Sequence, residues 1–354
     1  MLLPAAAEAE KLRIAFYNTD LSRDGPGLLL RDILRDDDQA RAVAAIVARV
    51  APDILVLSAV DWDAGGHAMA ALSGLFAAAG HRLDHSFTAR PNSGLATPAD
   101  LDGDGRTGGA RDAQGYGRFT GQDGMVVLSR YPIRAGEVRD FSQLLWRDLP
   151  GGDPWFPGPE AASIQRLSSR VHWDVPVEIP GFGPLHLWIF HATPPVFDGP
   201  EDRNGRRNND EALLWLDYLD QRLTQQPDDA PFVIVGDTNA DPVDGDARRT
   251  ALLDLLRDPR LQDPRPMSDG ARLAGAGDPG QRGDPALDTV DWPETGGGPG
   301  NLRVSYILPD ARLPVAGAGV FWPAPDSGDV ALLGRDGDAA SRHRLVWVDL
   351  DLQR

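Results

Sequence analysis

Four places in this 354-residue chain set a side chain capable of polar chemistry next to a run of apolar residues. Asn18 closes the run 12–17, and His191 closes another and opens His191-Ala192-Thr193-Pro194-Pro195. Asp237 and Asn239 lie in Gly236-Asp237-Thr238-Asn239-Ala240-Asp241-Pro242, after a third run, and His343 precedes the last. In sheet-based enzymes such strand ends gather at one edge, so all four can reach one site. Alternation along an extended segment puts Asp237 and Asn239 on the same side, with Gly236 allowing close backbone approach. An aspartate there orients or deprotonates a water, and an asparagine amide donates to a phosphoryl oxygen.

Composition removes most other chemistries. Cysteine is absent, which excludes thiolate nucleophiles, thiolate metal sites and disulfides. Lys11 is the only lysine and precedes the first strand-like run, so P-loop, Schiff-base and kinase-type lysines are missing. No G-x-S-x-G nucleophile elbow occurs. What remains is chemistry done with His, Asp, Asn and Arg, with room for an oxygen-liking metal. The net charge of −18 repels phosphate polymers and argues against nucleic acid as a partner, favouring a small ligand. No run approaches the roughly 18 apolar residues of a membrane span. Protein partners leave no mark in the sequence.

Two further clusters stand out. Asp100-Leu101-Asp102-Gly103-Asp104-Gly105 follows the first half of a calcium loop, with acids at alternate positions and then glycine. The position that takes a bidentate glutamate is Arg111, with Asp112 next to it, so the segment reads as a smaller Ca²⁺ loop or as a polar surface turn. Arg203 and Arg206, in Asp202–Asn209, suit a phosphate, while Asn208 and Asn209 suit helix capping. His172 is a candidate for lining a cleft; His67, His81, His85 and His186 read as solvated or core residues.

The elements that must position these groups follow from periodicity. Runs over 12–17, 53–57, 125–129, 185–191, 232–237, 304–308 and 345–350 read as strands. Helical spacing recurs over 39–50, capped by Asp36-Asp37-Asp38, over 68–79, and over 209–223 with Leu213, Leu214, Leu216 and Leu219 on the buried side. Strands alternating with helices point to a layered α/β protein. Residues 10–354 read as one domain with long loops over 90–124 and 263–300. Residues 1–9 read as the remnant of a signal peptide, Ala7-Glu8-Ala9 having the small-x-small spacing of its cleavage site, or as a loose tail. The first alternative implies a periplasmic or secreted bacterial protein, the second a cytoplasmic one.

The ordered motifs Y-N-T-D-L at Tyr17, P-D-I-L-V-L at Pro52, G-M-V-V-L-S-R-Y-P-I at Gly124, H-A-T-P-P at His191, G-D-T-N-A-D-P at Gly236 and S-R-H at Ser341 resemble those of the endonuclease/exonuclease/phosphatase superfamily. In particular the chain looks like its bacterial exported members with a D-L-D-G-D-G loop and an F-W-P segment, here Phe321-Trp322-Pro323. The resemblance implies an α/β four-layer sandwich, two packed mixed β-sheets flanked by helices. It implies phosphoester hydrolysis: His191 contacts the scissile phosphate, Asp237 positions the attacking water, Asn18 and Asn239 hold metal or phosphoryl oxygens, and His343 stabilises the charged transition state.

Three positions depart from the family pattern. Ala59 stands where the resemblance implies a metal-binding Glu, Arg342 replaces the Asp of S-D-H, and Ser305 replaces the Asp of R-V-D-Y that holds the second histidine. Two readings follow. In one, hydrolysis persists, with Arg342 taking over part of the job of a Mg²⁺ or Mn²⁺ ion, or Asp61 replacing the missing Glu. In the other, the protein is a catalytically inactive homologue that keeps an anion- or partner-binding cleft.

Overall fold

A computed structural model describes residues 10–293 and 298–352. The leader or tail expected over 1–9 lies outside the described residues. Eleven strands run in chain order: β1 (Glu10–Asn18), β2 (Ile54–Val60), β3 (His85–Phe87), β4 (Gly124–Ser129), β5 (Arg139–Asp140), β6 (His172–Ile179), β7 (Gly183–His191), β8 (Phe232–Asp237), β9 (Ser305–Pro309), β10 (Val315–Val320) and β11 (Val346–Leu352). The helices are α1 (Leu28–Leu34), α2 (Asp38–Val50), α3 (His67–Ala78), α4 (Pro159–Ile164), α5 (Arg203–Leu219), α6 (Thr250–Arg257) and α7 (Asp269–Ala274). None of the described helices is long and apolar enough to cross a membrane.

The strands form two mixed sheets, of order β10-β11-β1-β2-β4-β3 and β5-β6-β7-β8-β9. This is the sandwich expected from the sequence. Apolar faces of both sheets meet in one core, in which Ile14, Phe16, Val56 and Val348 of the first join Val175, Leu187, Val235 and Ile307 of the second. β2 and β8 are buried along their whole length, which explains why they read as unbroken apolar runs. α2 starts where Asp37 accepts from the Ala40 N–H at 2.8 Å, and its Val43, Ile46, Val47 and Val50 stripe is buried.

Strand direction decides where chemistry can occur. β1 runs parallel to β2, and β7 parallel to β8, and the Asn18–Asp237 hydrogen bond joins the ends of β1 and β8, so all four end at one edge. β9 and β11 run antiparallel to β8 and β1 and therefore begin there.

β6 has little apolar signature, because its inward polar residues serve a buried network. Asp174 accepts from Arg139 (2.7 Å), His186 Nδ1 (2.6 Å) and the Tyr218 hydroxyl (2.7 Å), tying β5, β7 and α5 together. α5 begins at Arg203, so Asn208 and Asn209 sit inside it and do not cap it.

His172 does not line a cleft. Its ring is fully buried against Phe190 and Trp215, with Nε2 2.9 Å from the Glu211 carbonyl and Nδ1 against the Ser168 hydroxyl. A carbonyl only accepts, so Nε2 carries the proton, and burial pushes the ring pKa down to about 3. The unfolded chain therefore binds a proton near pH 6.5 that the folded one refuses until about pH 3, and stability falls as the pH drops through that window. Urea unfolding of native and His172→Gln proteins reads this directly. The native protein's advantage should shrink by about 2 kcal/mol between pH 7.5 and pH 5, and an unchanged difference would show that the ring is not held neutral.

Candidate active site

The strand ends bring Asn18, His191, Asp237, Asn239 and His343 together. Asn18 ends β1, while His191 of β7, Asp237 of β8 and Ser305 of β9 lie side by side in register. Gly236 must be glycine, since a Cβ there would sit 2.0 Å from the Phe190 carbonyl oxygen of the neighbouring strand.

Hydrogen bonds fix the tautomers. The Asn239 amide nitrogen lies 2.9 Å from the Ala192 carbonyl, which accepts only, and 3.1 Å from His191 Nε2. Asn239 therefore donates to Nε2, and the His191 proton sits on Nδ1, a buried atom with no partner. Burial pulls the His191 pKa well below its ordinary value, helped by the charges of Arg170 and His343, so the ring is a neutral donor. Asn239 thus acts through His191, since its amide is spent on orienting that ring.

Asp237 is fully buried. It accepts from the Asn239 backbone N–H (2.8 Å) and Asn18 Nδ2 (3.1 Å), and His343 Nδ1 lies 3.4 Å away. Desolvation raises its pKa, opposed by His343, those two hydrogen bonds and Arg170. With the Asn18 nitrogen facing Asp237, its Oδ1 is left as a buried acceptor without a partner. The Trp292 ring meets His343 edge-on at 5.6 Å.

The sequence reading missed Arg170 and Asp123. Arg170 pairs with Asp123, and its Nε is a buried donor with no partner. Its charge acts on both His191 and Asp237. Burial raises the Asp123 pKa and the pairing with Arg170 opposes this. Asp123 directly precedes β4 and Arg170 lies two residues before β6, so strand-start position was the available signal, but β6 gives no apolar run to mark it.

α5 holds the loops that carry these groups. Buried Glu211 accepts from the Ser169 N–H and the Thr193 N–H, each at 2.6 Å. Asn208 donates to the Thr193 and Thr238 carbonyls at 2.7 and 2.6 Å. Arg207 donates to the carbonyls of Leu167, Gln114, Arg166 and Ser168.

The model of the endonuclease/exonuclease/phosphatase family matches residues 15–343. The chain belongs to that family. Among solved structures it is similar to a family protein of Beutenbergia cavernae, with 21% identity, coverage of 97% of this chain and 72% of that one, and a TM-score of 0.57. A Leptotrichia buccalis family protein gives 14% identity, coverage of 96% and 100%, and a TM-score of 0.54. One of Bacteroides thetaiotaomicron gives 13%, coverage of 98% and 99%, and 0.52. At these identities the likeness concerns the fold. No curated protein matches the chain.

Family members typically use a divalent metal, and the donors at this edge do not fit one. Ala59 offers no ligand, although its backbone keeps the left-handed φ of 57° at a bulge in β2, a conformation that costs an alanine about 1 kcal/mol. Ser305, beside Asp237, ends in a buried hydroxyl without a partner. Asp237 is wrapped by N–H donors, and Asp123 is neutralised by Arg170. A hard cation with near-octahedral oxygen coordination lacks the carboxylates it takes.

Neither substitute expected from the sequence is in place. Asp61 is no metal ligand here: Ser22 Oγ and the Asp123 N–H bond one oxygen (2.8 and 3.1 Å), and the Arg23 N–H bonds the other (2.8 Å). It closes the turn after β2. Arg342 is exposed, its nearest acid being Asp338 at 3.9 Å, and so cannot stand in for a cation beside Asp237. Arg206 is also turned away, bonded to Asp153 at 2.5 Å and the Glu201 carbonyl at 3.0 Å. Arg203 is buried at the start of α5, near Arg170 in a shared cavity.

In the long loop, Asp100, Asp102 and Asp112 bring one carboxylate oxygen each within 4.8 Å of one another, a donor set of the kind hard divalent cations take. Asp104 is outside this group and accepts from the Arg106 N–H at 2.8 Å. Asp112 takes its place because the loop folds back, a step that a linear reading of the calcium pattern does not contain.

Two substitutions test this geometry. Glu211→Ala would strand two buried N–H groups and should cost about 3 kcal/mol in urea unfolding, while Arg342→Ala should stay within about 0.5 kcal/mol. A large loss for Arg342→Ala would mean that its side chain turns inward.

Proposed function

We propose that this chain is a phosphoester hydrolase that holds its substrate with nitrogen donors in place of a divalent cation. The observation that carries the reading is the pair of buried donors without partners, His191 Nδ1 and Arg170 Nε, beside an acceptor in the same condition, Asn18 Oδ1. Donors of this kind suit the non-bridging oxygens of a phosphoryl group, and the acceptor suits the attacking water. Arg170 is always charged and stabilises the growing negative charge, aided by His343. Asp237, ordered by Asn18 and Asn239, aligns the water and accepts its proton. The new P–O bond forms as the ester P–O bond breaks, and the leaving oxygen takes a proton from solvent. The acidic chain favours a small mono- or diester over nucleic acid.

A second reading, binding without turnover, is favoured by one observation: Asp237 is 0% exposed and hydrogen-bonded within the protein. A panel of small phosphomonoesters and phosphodiesters, assayed with Mg²⁺, Mn²⁺, Ca²⁺ or EDTA, separates the two. EDTA-insensitive turnover that falls at least about 100-fold in Asp237→Asn and in Arg170→Gln supports the proposal. Turnover that requires added Mg²⁺ or Mn²⁺ refutes it. No turnover in the native protein, with Mg²⁺-dependent activity appearing in the triple variant Ala59→Glu, Ser305→Asp, Arg342→Asp, establishes the binding protein.

A further inference from the structure

A cavity of about 460 Å³ adjoins the site, with Arg170 in its wall. Arg111, Arg203 and Arg207 line it as well, in a chain of net charge −18, although the Arg207 guanidinium is spent on backbone carbonyls. Arg203 is the unusual one. It is 8% exposed, its Nη2 donates to Gln165 Oε1 at 2.9 Å, and its Nε is buried without a partner. Among the described residues no carboxylate lies within ion-pair distance of it, whereas most arginines of this chain have one. Gln165 adds a second buried donor without a partner, its Nε2. Gln165 does not line the cavity, and Asp102, Asp198, Asp112 and Glu201 act on the Arg203 charge only from beyond ion-pair distance, so an unpaired Arg203 Nε is costly unless an anion in the cavity meets this side chain.

The same cavity has aromatic walls. Tyr116 is 59% exposed and Phe197 76% exposed, the latter with a left-handed φ of 70° that a bulky residue rarely adopts. The acids that also line it, Asp198 and Glu201, accept from the backbone N–H groups of Asn204 and Gly199 and so brace their own loop. Asp102, the third, belongs to the acidic group of the long loop.

We infer that this cavity receives the leaving group of the phosphoester, and that this group carries a flat ring for Tyr116 and Phe197 and a second anion for Arg203. The inference rests on the phosphoryl reading of the neighbouring site and specifies its substrate class: a ring-bearing phosphoester with an additional carboxylate or phosphate. Arg170 anchors the scissile phosphoryl group and Arg203 the distant charge.

Calorimetry with non-hydrolysable probes tests it. 4-Phosphonobenzoate should bind the native protein about ten-fold tighter than phenylphosphonate, the gain expected of one charge-assisted contact. Arg203→Gln should remove that advantage while leaving phenylphosphonate affinity unchanged. Phe197→Ala, at an exposed position, should weaken both probes. Equal affinities in the native protein, or an advantage that survives Arg203→Gln in a variant with native melting, would overturn the inference. So would indifference of both probes to Phe197→Ala. Terephthalate, which carries no phosphorus, reads the cavity alone. Its Arg203-dependent binding alongside no binding of phenylphosphonate would support the anion cavity and sink the phosphoryl site. Failure of all three probes would sink the cavity as well.

Discussion

A single buried carboxylate, that of Glu211, holds the site's frame together. A charge at 0% exposure is tolerable only when its lone pairs are met, and here the Ser169 and Thr193 N–H groups meet them. Ser169 precedes Arg170, and Thr193 follows His191 by two residues, so one side chain sets the backbone on both sides of the cleft. Asn208, one turn earlier on α5, extends the tie to Thr238, next to Asp237. The polar face of α5 is therefore as structural as its apolar face, and it holds the loops next to Arg170, His191 and Asp237.

The long loop closes the same frame from the other side. Asn92 donates its side-chain amide to the Ser142 and Ser168 carbonyls, and its backbone N–H bonds the Arg170 carbonyl at 2.9 Å. Gly115 lets the loop lie against Ser169, since a Cβ there would fall 1.7 Å from that residue's carbonyl oxygen. Arg170 is thus fixed by backbone contacts from two directions, with its side chain paired to Asp123 and in the wall of the cavity.

In the electrostatics, the site and the surface have opposite character. The chain is strongly acidic, yet the edge where β1, β7 and β8 end has one wrapped carboxylate, one carboxylate paired to an arginine, and several nitrogen donors without acceptors. Ala59 has a left-handed backbone at a bulge in β2 and brings no ligand atom to this edge beyond its backbone.

The core strands were legible because residues buried on both sides leave unbroken apolar runs, and β8 was read to its last residue. His191, Asp237 and His343 were legible because each stands where such a run stops or starts. β6 was not, because His172 and Asp174 are buried polar residues satisfied by partners far away in sequence, and Pro176 interrupts the run. The same reason governs the arginines. Sequence alone excluded thiolate, P-loop-lysine and Schiff-base chemistry, and showed Ala59, Ser305 and Arg342 at positions where the resemblance implies acids. Only the tertiary structure decided that Arg170, and not the exposed Arg342, lies near enough to act on Asp237, and that Asp61 is spent on a turn. Which guanidinium points inward depends on loop closures over long sequence separations, and no local pattern encodes those.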